Sequence, residues 1–293
     1  MQLLEGKKAS DAILQKIKVQ TDNVIQAGQR KPHLAAILIG NNGASETYVA
    51  SKVKTCAQIG FDSSLIRFEE NISEAKLLKK IDELNQNNSI DGILVQLPLP
   101  KHISEDQIIH AITPSKDVDG FHPFNVGMMT SGTPTFIPAT PYGILLLLEH
   151  YQIPTKGKHA VVIGRSHIVG TPMSILLSRK GYPGDCTVTL CHSGTQHLKE
   201  ISLQGDILVA ALGKTEFVTA DMVKPGAVVI DVGITRVPDP TKKSGFAIKG
   251  DVKFDEVAPI SSAITPVPGG VGLMTIAGLM MNTWNAYQKH IAS

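Results

Sequence analysis

Ala160-Val161-Val162-Ile163-Gly164-Arg165-Ser166-His167-Ile168-Val169-Gly170-Thr171-Pro172-Met173 joins an apolar run to a glycine turn, and the turn to what reads as a helix start. A short apolar run closed by glycine reads as a buried strand, and glycine with proline favours the opening of a helix. In that order a dinucleotide pyrophosphate can lie against backbone N–H groups and the positive end of the helix. Gly164 and Gly170 are the residues that would let the backbone approach it. The spacing is Gly-x-Ser-x-x-x-Gly rather than GxGxxG, and glycine turns before helices are common, so the turn alone leaves both readings open. The next strand ends Leu190-Cys191-His192-Ser193-Gly194-Thr195, without the acidic residue that bonds a ribose 2′-hydroxyl in NAD-binding folds. Arg165 with the Ser193 hydroxyl can instead meet a 2′-phosphate, which favours NADP over NAD. An ordinary surface arginine is the other reading of Arg165.

Outward from this stretch, strand signals recur near 187–190, 207–211 and 227–231. Before it, Thr140 as N-cap with Pro141 behind it starts a helix that runs to Tyr151. Towards the N-terminus the order repeats. Ser10 caps a helix closed by Gly28, and Leu34–Ile39 is an apolar strand. A helix then ends at Gly60, a strand runs over 64–68, and a Ser73-capped helix carries Leu77, Leu78, Ile81 and Leu84. Ile93–Leu97 is a further strand, stopped by Pro98 and Pro100. This alternation predicts an α/β protein of two domains, each a mostly parallel sheet flanked by helices, the second Rossmann-type. The expected division is 1–139 completed by a C-terminal helix over 272–293, and 140–271 as the nucleotide domain. The 236–249 stretch, with Pro238 and Pro240, is expected to be an exposed loop or hairpin.

At 293 residues, 42% hydrophobic and 18% charged, the chain has the balance of a globular enzyme. A net charge of +2 gives no broad basic field, which argues against a nucleic-acid partner. Cys56, Cys186 and Cys191 have no CxxC spacing and an odd count, so a disulfide framework and a metal cluster are not expected. The start lacks the order of a signal peptide and no apolar run can span a bilayer, so a cytoplasmic protein with no membrane partner is expected.

Four further places carry polar residues where packing alone does not ask for them. Tyr48 and Lys52 are four apart in a helical stretch, which puts phenol and amine on one face. Such a lysine carries protons near neutral pH if its surroundings lower its pKa; otherwise it is a solvated helix face. Gln96 stands at the carboxyl end of an apolar strand, the edge where open α/β sheets bind ligands, although a structural glutamine also fits there. Pro114–Phe121 carries Asp117 and Asp119. Asp119, before Gly120, is the better placed to reach a ligand, and a solvated turn is an equal reading of Asp117. In Thr265–Thr275 the run Pro268-Gly269-Gly270 lets backbone come close to a ligand.

Taken together, YVASKVKTCAQIG (48–60), DGILVQLPLP (91–100), PSKDVDGFHP (114–123), PATPYGILLLL (138–148), VVIGRSHIVGTPM (161–173), GDILVAALGK (205–214) and TPVPGGVGLMT (265–275) resemble one family. It is the bifunctional methylenetetrahydrofolate dehydrogenase/methenyltetrahydrofolate cyclohydrolases. The resemblance covers nearly the whole chain in the family's order. It implies oxidation of 5,10-methylenetetrahydrofolate with NADP+, then hydrolysis to 10-formyltetrahydrofolate, by a homodimer with a folate cleft between its domains. Lys52 then matches the catalytic lysine, Tyr48 the tyrosine that orders the site, and Gln96 the residue that tunes the lysine. Asp119 matches the pterin-holding aspartate, and Pro268, Gly269 and Gly270 match a substrate-side loop. Gly164, Arg165, Ser166, Gly170, Ser193 and Ile234 match cofactor positions. Gly194 departs from the basic residue that often follows the serine, which weakens the 2′-phosphate case. A short-chain dehydrogenase also uses Tyr-x-x-x-Lys, but there the motif follows the nucleotide turn, and here it precedes it by more than 100 residues. A non-catalytic binding protein or a monofunctional relative remains as a rival reading.

Overall fold

The computed structural model describes residues 1–242 and 245–292, with the backbone alone at Ala44. In chain order the elements are β1 (Gln2–Leu3), α1 (Gly6–Gln26), β2 (His33–Ile39), α2 (Gly43–Ile59), β3 (Asp62–Phe68), α3 (Glu74–Gln86), β4 (Gly92–Val95), α4 (Glu105–Ala111), α5 (Pro123–Thr130) and α6 (Ala139–His150). There follow β5 (His159–Ile163), α7 (Gly170–Ser178), β6 (Thr187–Cys191), α8 (Leu198–Ser202), β7 (Ile207–Ala210), β8 (Val228–Asp231), β9 (Thr235–Pro238), β10 (Phe246–Lys249), α9 (Phe254–Val257), β11 (Ala263–Ile264) and α10 (Val271–Ala292). The chain divides into two compact units. One holds Met1–Asp11 and Thr140–Thr275, the other Ala12–Ala139 and Ile276–Ser293.

In the unit holding residues 140–275, the strands run in the order β1-β11-β8-β7-β5-β6, every neighbouring pair parallel. β5 and β7 are buried along almost their whole length, the signature of strands covered on both faces. Val161, Ile163, Leu208, Val229 and Ile264 form part of one core against Val218 and Val257. β9 and β10 form an antiparallel hairpin over the predicted 236–249 stretch, starting one residue earlier at Thr235; Lys243 and Ser244 lie outside the described residues.

In the other unit, β3, β2 and β4 form a parallel sheet in that order. Central β2 is buried from Leu34 to Ile39, whereas edge strand β3 alternates with solvent. Leu77 and Ile81 of α3 pack with Ile37, Ile93 and Ile108 in its core. Ser73 caps α3 by accepting the Lys76 amide, as the sequence predicts. Gly60 ends α2 in a left-handed turn, its amide bonded to Ala57 O and that of Phe61 to Cys56 O, the paired closure that glycine permits at a helix end.

Three boundaries differ from the sequence reading. Met1–Asp11 belongs with residues 140–275, because β1 pairs with β11 over two residues, too short a run to leave a periodic signal. α1 begins at Gly6, so Ser10 is buried inside the helix and caps nothing. α6 begins at Ala139, so Thr140 is already helical, and its hydroxyl meets Thr275 Oγ1 at 3.0 Å. No helix among the described residues is long and apolar enough to cross a membrane.

Candidate active site

α2 places Tyr48 and Lys52 one turn apart. Lys52 is 6% exposed, and its Nζ donates to Gln96 Oε1 at 3.0 Å. Gln96 stands one residue past β4, where its amide continues the ladder to Ile37 O. Its side-chain Nε2 donates to Leu97 O at 2.7 Å, which turns Oε1 towards the lysine. A buried ammonium is costly, so burial lowers the Lys52 pKa, and the charge of Asp119 opposes that shift. Burial likewise raises the Tyr48 phenol. Asp119 is half-buried, and its carboxyl is pushed up to about 6, chiefly by burial; Lys52 pulls it down and Asp117 pushes it up. Burial moves the lysine down and the carboxyl up, so their proton affinities approach one another, as acid–base sites require.

The loop carrying Asp119 is fastened on both sides. Lys116, 7% exposed, donates from Nζ to Leu84 O, Asn85 O and Asn87 O, closing the carboxyl end of α3. Asp117 is 2% exposed and accepts from the amides of Phe121 and His122 and from Asn125 Nδ2. The solvated-turn reading of Asp117 is therefore overturned: its three donors come from the residues that follow the turn. These donors are near in sequence but follow no pattern that marks them. Gly120 has φ +73°, and a Cβ there would press on the Ile137–Pro138 peptide.

The other unit carries a different kind of site. Gly164 follows β5 with φ +118°, and a Cβ on it would overlap the carbonyl oxygen of Ala211. A Cβ on Gly170, the first residue of α7, would overlap the carbonyl oxygen of Gly164. Ser166 Oγ accepts from the amides of Val169 and Gly170 at 3.2 and 3.4 Å, folding the turn onto the helix start. β5 and β6 pair with Ile163 opposite Cys191, so Arg165 and Ser193 leave neighbouring strands at matching points, both exposed. Thr195 closes the turn after β6 by accepting the His192 amide at 2.8 Å. Gly194 sits exposed beside the His192 ring. Ile234 is exposed after β8 at the same, carboxyl edge of the sheet. Pro268 is exposed, Gly269 has φ +102°, and Gly270 precedes α10. Among the described residues no group of acids, histidines and cysteines could hold a metal.

A parallel sheet with a glycine-lined helix start at its carboxyl edge defines a dinucleotide-binding α/β protein. The turn suits a dinucleotide, since Gly164 and Gly170 leave the backbone free of side chains at the helix start and exposed Arg165 follows the first glycine. Residues 4–119 match the tetrahydrofolate dehydrogenase/cyclohydrolase catalytic domain, and 138–291 match the NAD(P)-binding domain of the same name. The chain belongs to the tetrahydrofolate dehydrogenase/cyclohydrolase family. It is 61% identical to the bifunctional protein FolD of Porphyromonas gingivalis over 96% of this chain and 95% of that one. Its structure resembles the FolD dehydrogenase/cyclohydrolase of Campylobacter jejuni, with 46% identity, TM-score 0.92 and 99% of both chains covered. It also resembles the Trypanosoma brucei dehydrogenase-cyclohydrolase solved with NADP cofactor and an inhibitor, with 34% identity and TM-score 0.94, covering 99% of this chain and 98% of that one.

Proposed function

We propose that Lys52 is the proton carrier of a two-step folate reaction, oriented by Gln96 and Tyr48, with Asp119 holding the pterin. The chain is a bifunctional methylenetetrahydrofolate dehydrogenase and methenyltetrahydrofolate cyclohydrolase. It oxidises 5,10-methylenetetrahydrofolate with NADP+ and hydrolyses the methenyl product to 10-formyltetrahydrofolate. The observation that carries the role of Lys52 is its 3.0 Å bond to Gln96 inside a site that lowers its proton affinity.

NADP+ supplies the two-electron oxidant, taking hydride from the one-carbon bridge. Gly164, Ser166 and Gly170 would present backbone to its phosphates, Arg165 and Ser193 would hold the 2′-phosphate, and Ile234 would line the cofactor site. Pro268, Gly269 and Gly270 line the folate side. Hydride transfer needs no protein base, so this half of the reaction depends on positioning. Hydrolysis does need one. A neutral lysine amine gives one N–H to Gln96 Oε1 and keeps its lone pair for the attacking water. As water adds to the methenyl carbon, Lys52 takes its proton. The hydroxyl proton then moves to N5 as the C–N5 bond breaks, and one proton is released per turnover. The carboxylate of Asp119 can accept from the pterin amino and ring N–H groups together.

We further read the protein as a cytoplasmic homodimer. Its three cysteines are free and buried, as suits a reducing compartment, and dimerisation follows the family resemblance. Light scattering that returned only monomer would remove the dimer. The enzymatic reading is tested by following reduced-cofactor formation from 5,10-methylenetetrahydrofolate with NADP+ and NAD+ side by side. Turnover with NADP+ supports the reaction and the task of Arg165. Turnover with NAD+ alone keeps the reaction and discards the 2′-phosphate contact.

A further inference from the structure

A second pair of acids lies outside the chemistry above, at the carboxyl edge of the six-stranded sheet. Asp231 ends β8 and Asp251 follows β10, and they are 3% and 0% exposed. Asp231 Oδ1 accepts from the amides of Gly233 at 2.9 Å and Asp251 at 2.8 Å, and Oδ2 from that of Val252 at 3.0 Å. Asp251 Oδ2 in turn accepts from the amides of Leu212 at 2.6 Å and Gly213 at 2.9 Å. Its Oδ1 is buried and has no hydrogen-bond partner among the described residues. Neither acid makes an ion pair among those residues.

Both acids therefore act on backbone. They tie together three stretches at one edge: 212–213 after β7, 231–233 after β8, and 250–252 after the hairpin. The packing is close enough to exclude side chains. A Cβ on Gly233 would collide with Asp251, and one on Gly250 with Asp231. The tied stretches adjoin the nucleotide turn. β7 is hydrogen-bonded to β5, and Ala211, next to Leu212, is the residue whose carbonyl a Cβ on Gly164 would overlap. Ile234 follows Gly233 directly.

We propose that Asp251 is a positioning residue for the dinucleotide site. By holding the Leu212 and Gly213 amides while its own amide docks on Asp231, it fixes the backbone beneath Gly164 and the segment that carries Ile234. A carboxyl oxygen that accepts from two successive amides sets the direction of the turn they belong to. This rests on the reading of the Gly164 turn as the NADP site. It extends that reading to a residue that touches neither cofactor nor folate.

The test uses Asp251→Ala and Asp251→Asn in the full chain, with three readouts: NADP+ affinity by calorimetry, the KM for NADP+ and methenyltetrahydrofolate hydrolysis. Alanine removes both acceptors, whereas asparagine keeps one oxygen for the 212–213 amides. We expect Asp251→Ala to weaken NADP+ binding by about tenfold while hydrolysis, which uses Lys52 in the other unit, changes less than about twofold. Asp251→Asn should recover most of the affinity. A folded alanine variant with NADP+ affinity within about twofold of the parent overturns the proposal. So does equal loss of both activities, which marks a merely structural role, or an asparagine variant as damaged as alanine. Should the alanine chain not fold, the asparagine chain decides: a loss of about two- to threefold is expected, and none overturns the proposal. If the parent chain itself does not bind NADP+, the underlying site reading fails. If it binds and the variants bind equally well, the inference about Asp251 alone fails.

Discussion

The site around Lys52 is built from side chains, whereas the site around Gly164 is built from backbone and from the absence of side chains. At the first, burial shifts the proton affinities of an amine and a carboxyl that also act on each other, and an amide orients the amine, so function is graded by chemistry. At the second, two glycines stand where any Cβ would overlap a carbonyl, so function is limited by space. The contrast follows from the tasks. Moving a proton requires a group whose pKa lies near the working pH, and only side chains can be tuned in that way. Holding a pyrophosphate requires donors that approach closely, and backbone amides at a helix start already provide them. Substitutions in the two places should therefore fail differently.

The largest effect is expected at Lys52. Lys52→Met should lower hydrolysis of the methenyl compound by about 10²- to 10⁴-fold, while NADP+-dependent oxidation falls far less. Steady-state rates of both reactions on one preparation check this, and equal losses would break the division of labour. Next comes Gly170→Ala, which forces a methyl group against the Gly164 carbonyl. The strain should raise the NADP+ KM by about tenfold to a hundredfold and leave hydrolysis in place. A normal KM would show that the turn yields, and would dissolve the contrast.

Asp119 sharpens the comparison because it should act on both reactions. Asp119→Ala should raise the folate KM in each by about tenfold or more, as expected for a lost charged acceptor. Its carboxyl, pushed up to about 6, is ionised above that pH and protonated below it. The parent enzyme should therefore bind folate more weakly as the pH falls through about 6, by up to about tenfold at one unit below. Asp119→Asn should flatten that limb. A parental folate KM constant from pH 5 to 8 would remove the carboxylate from the pterin. The smallest effect is expected at exposed Arg165. Arg165→Ala should reduce the preference for NADP+ over NAD+ by about three- to tenfold, since a solvated ion pair contributes little. An unchanged ratio would make it an ordinary surface arginine.

Much of this was readable without coordinates, for reasons that differ along the chain. β5 and its glycine turn were visible because a doubly covered strand is a continuous apolar run, and glycine marks the place where φ turns positive. Tyr48 and Lys52 were visible because helical spacing is local. Asp117 was only half legible: its donors, Phe121, His122 and Asn125, are near in sequence, but nothing in an Asp-x-Asp run says which acid turns inward. β1 was not legible at all. Two residues carry no period, and its partner β11 is about 260 positions away.

By itself the sequence determined the alternation of strands and helices, the two places where chemistry gathers, and the family, because periodicity, turn residues and motif order are properties of neighbours along the chain. Only the tertiary structure decided that Gln96 reaches Lys52 across 44 positions, that Met1–Asp11 joins the nucleotide unit, and that Asp231 and Asp251 bind backbone together. Those depend on which strands pair. A burial that shifts a pKa, or an amide left without its own ladder, comes into being only when distant segments exclude water from one another.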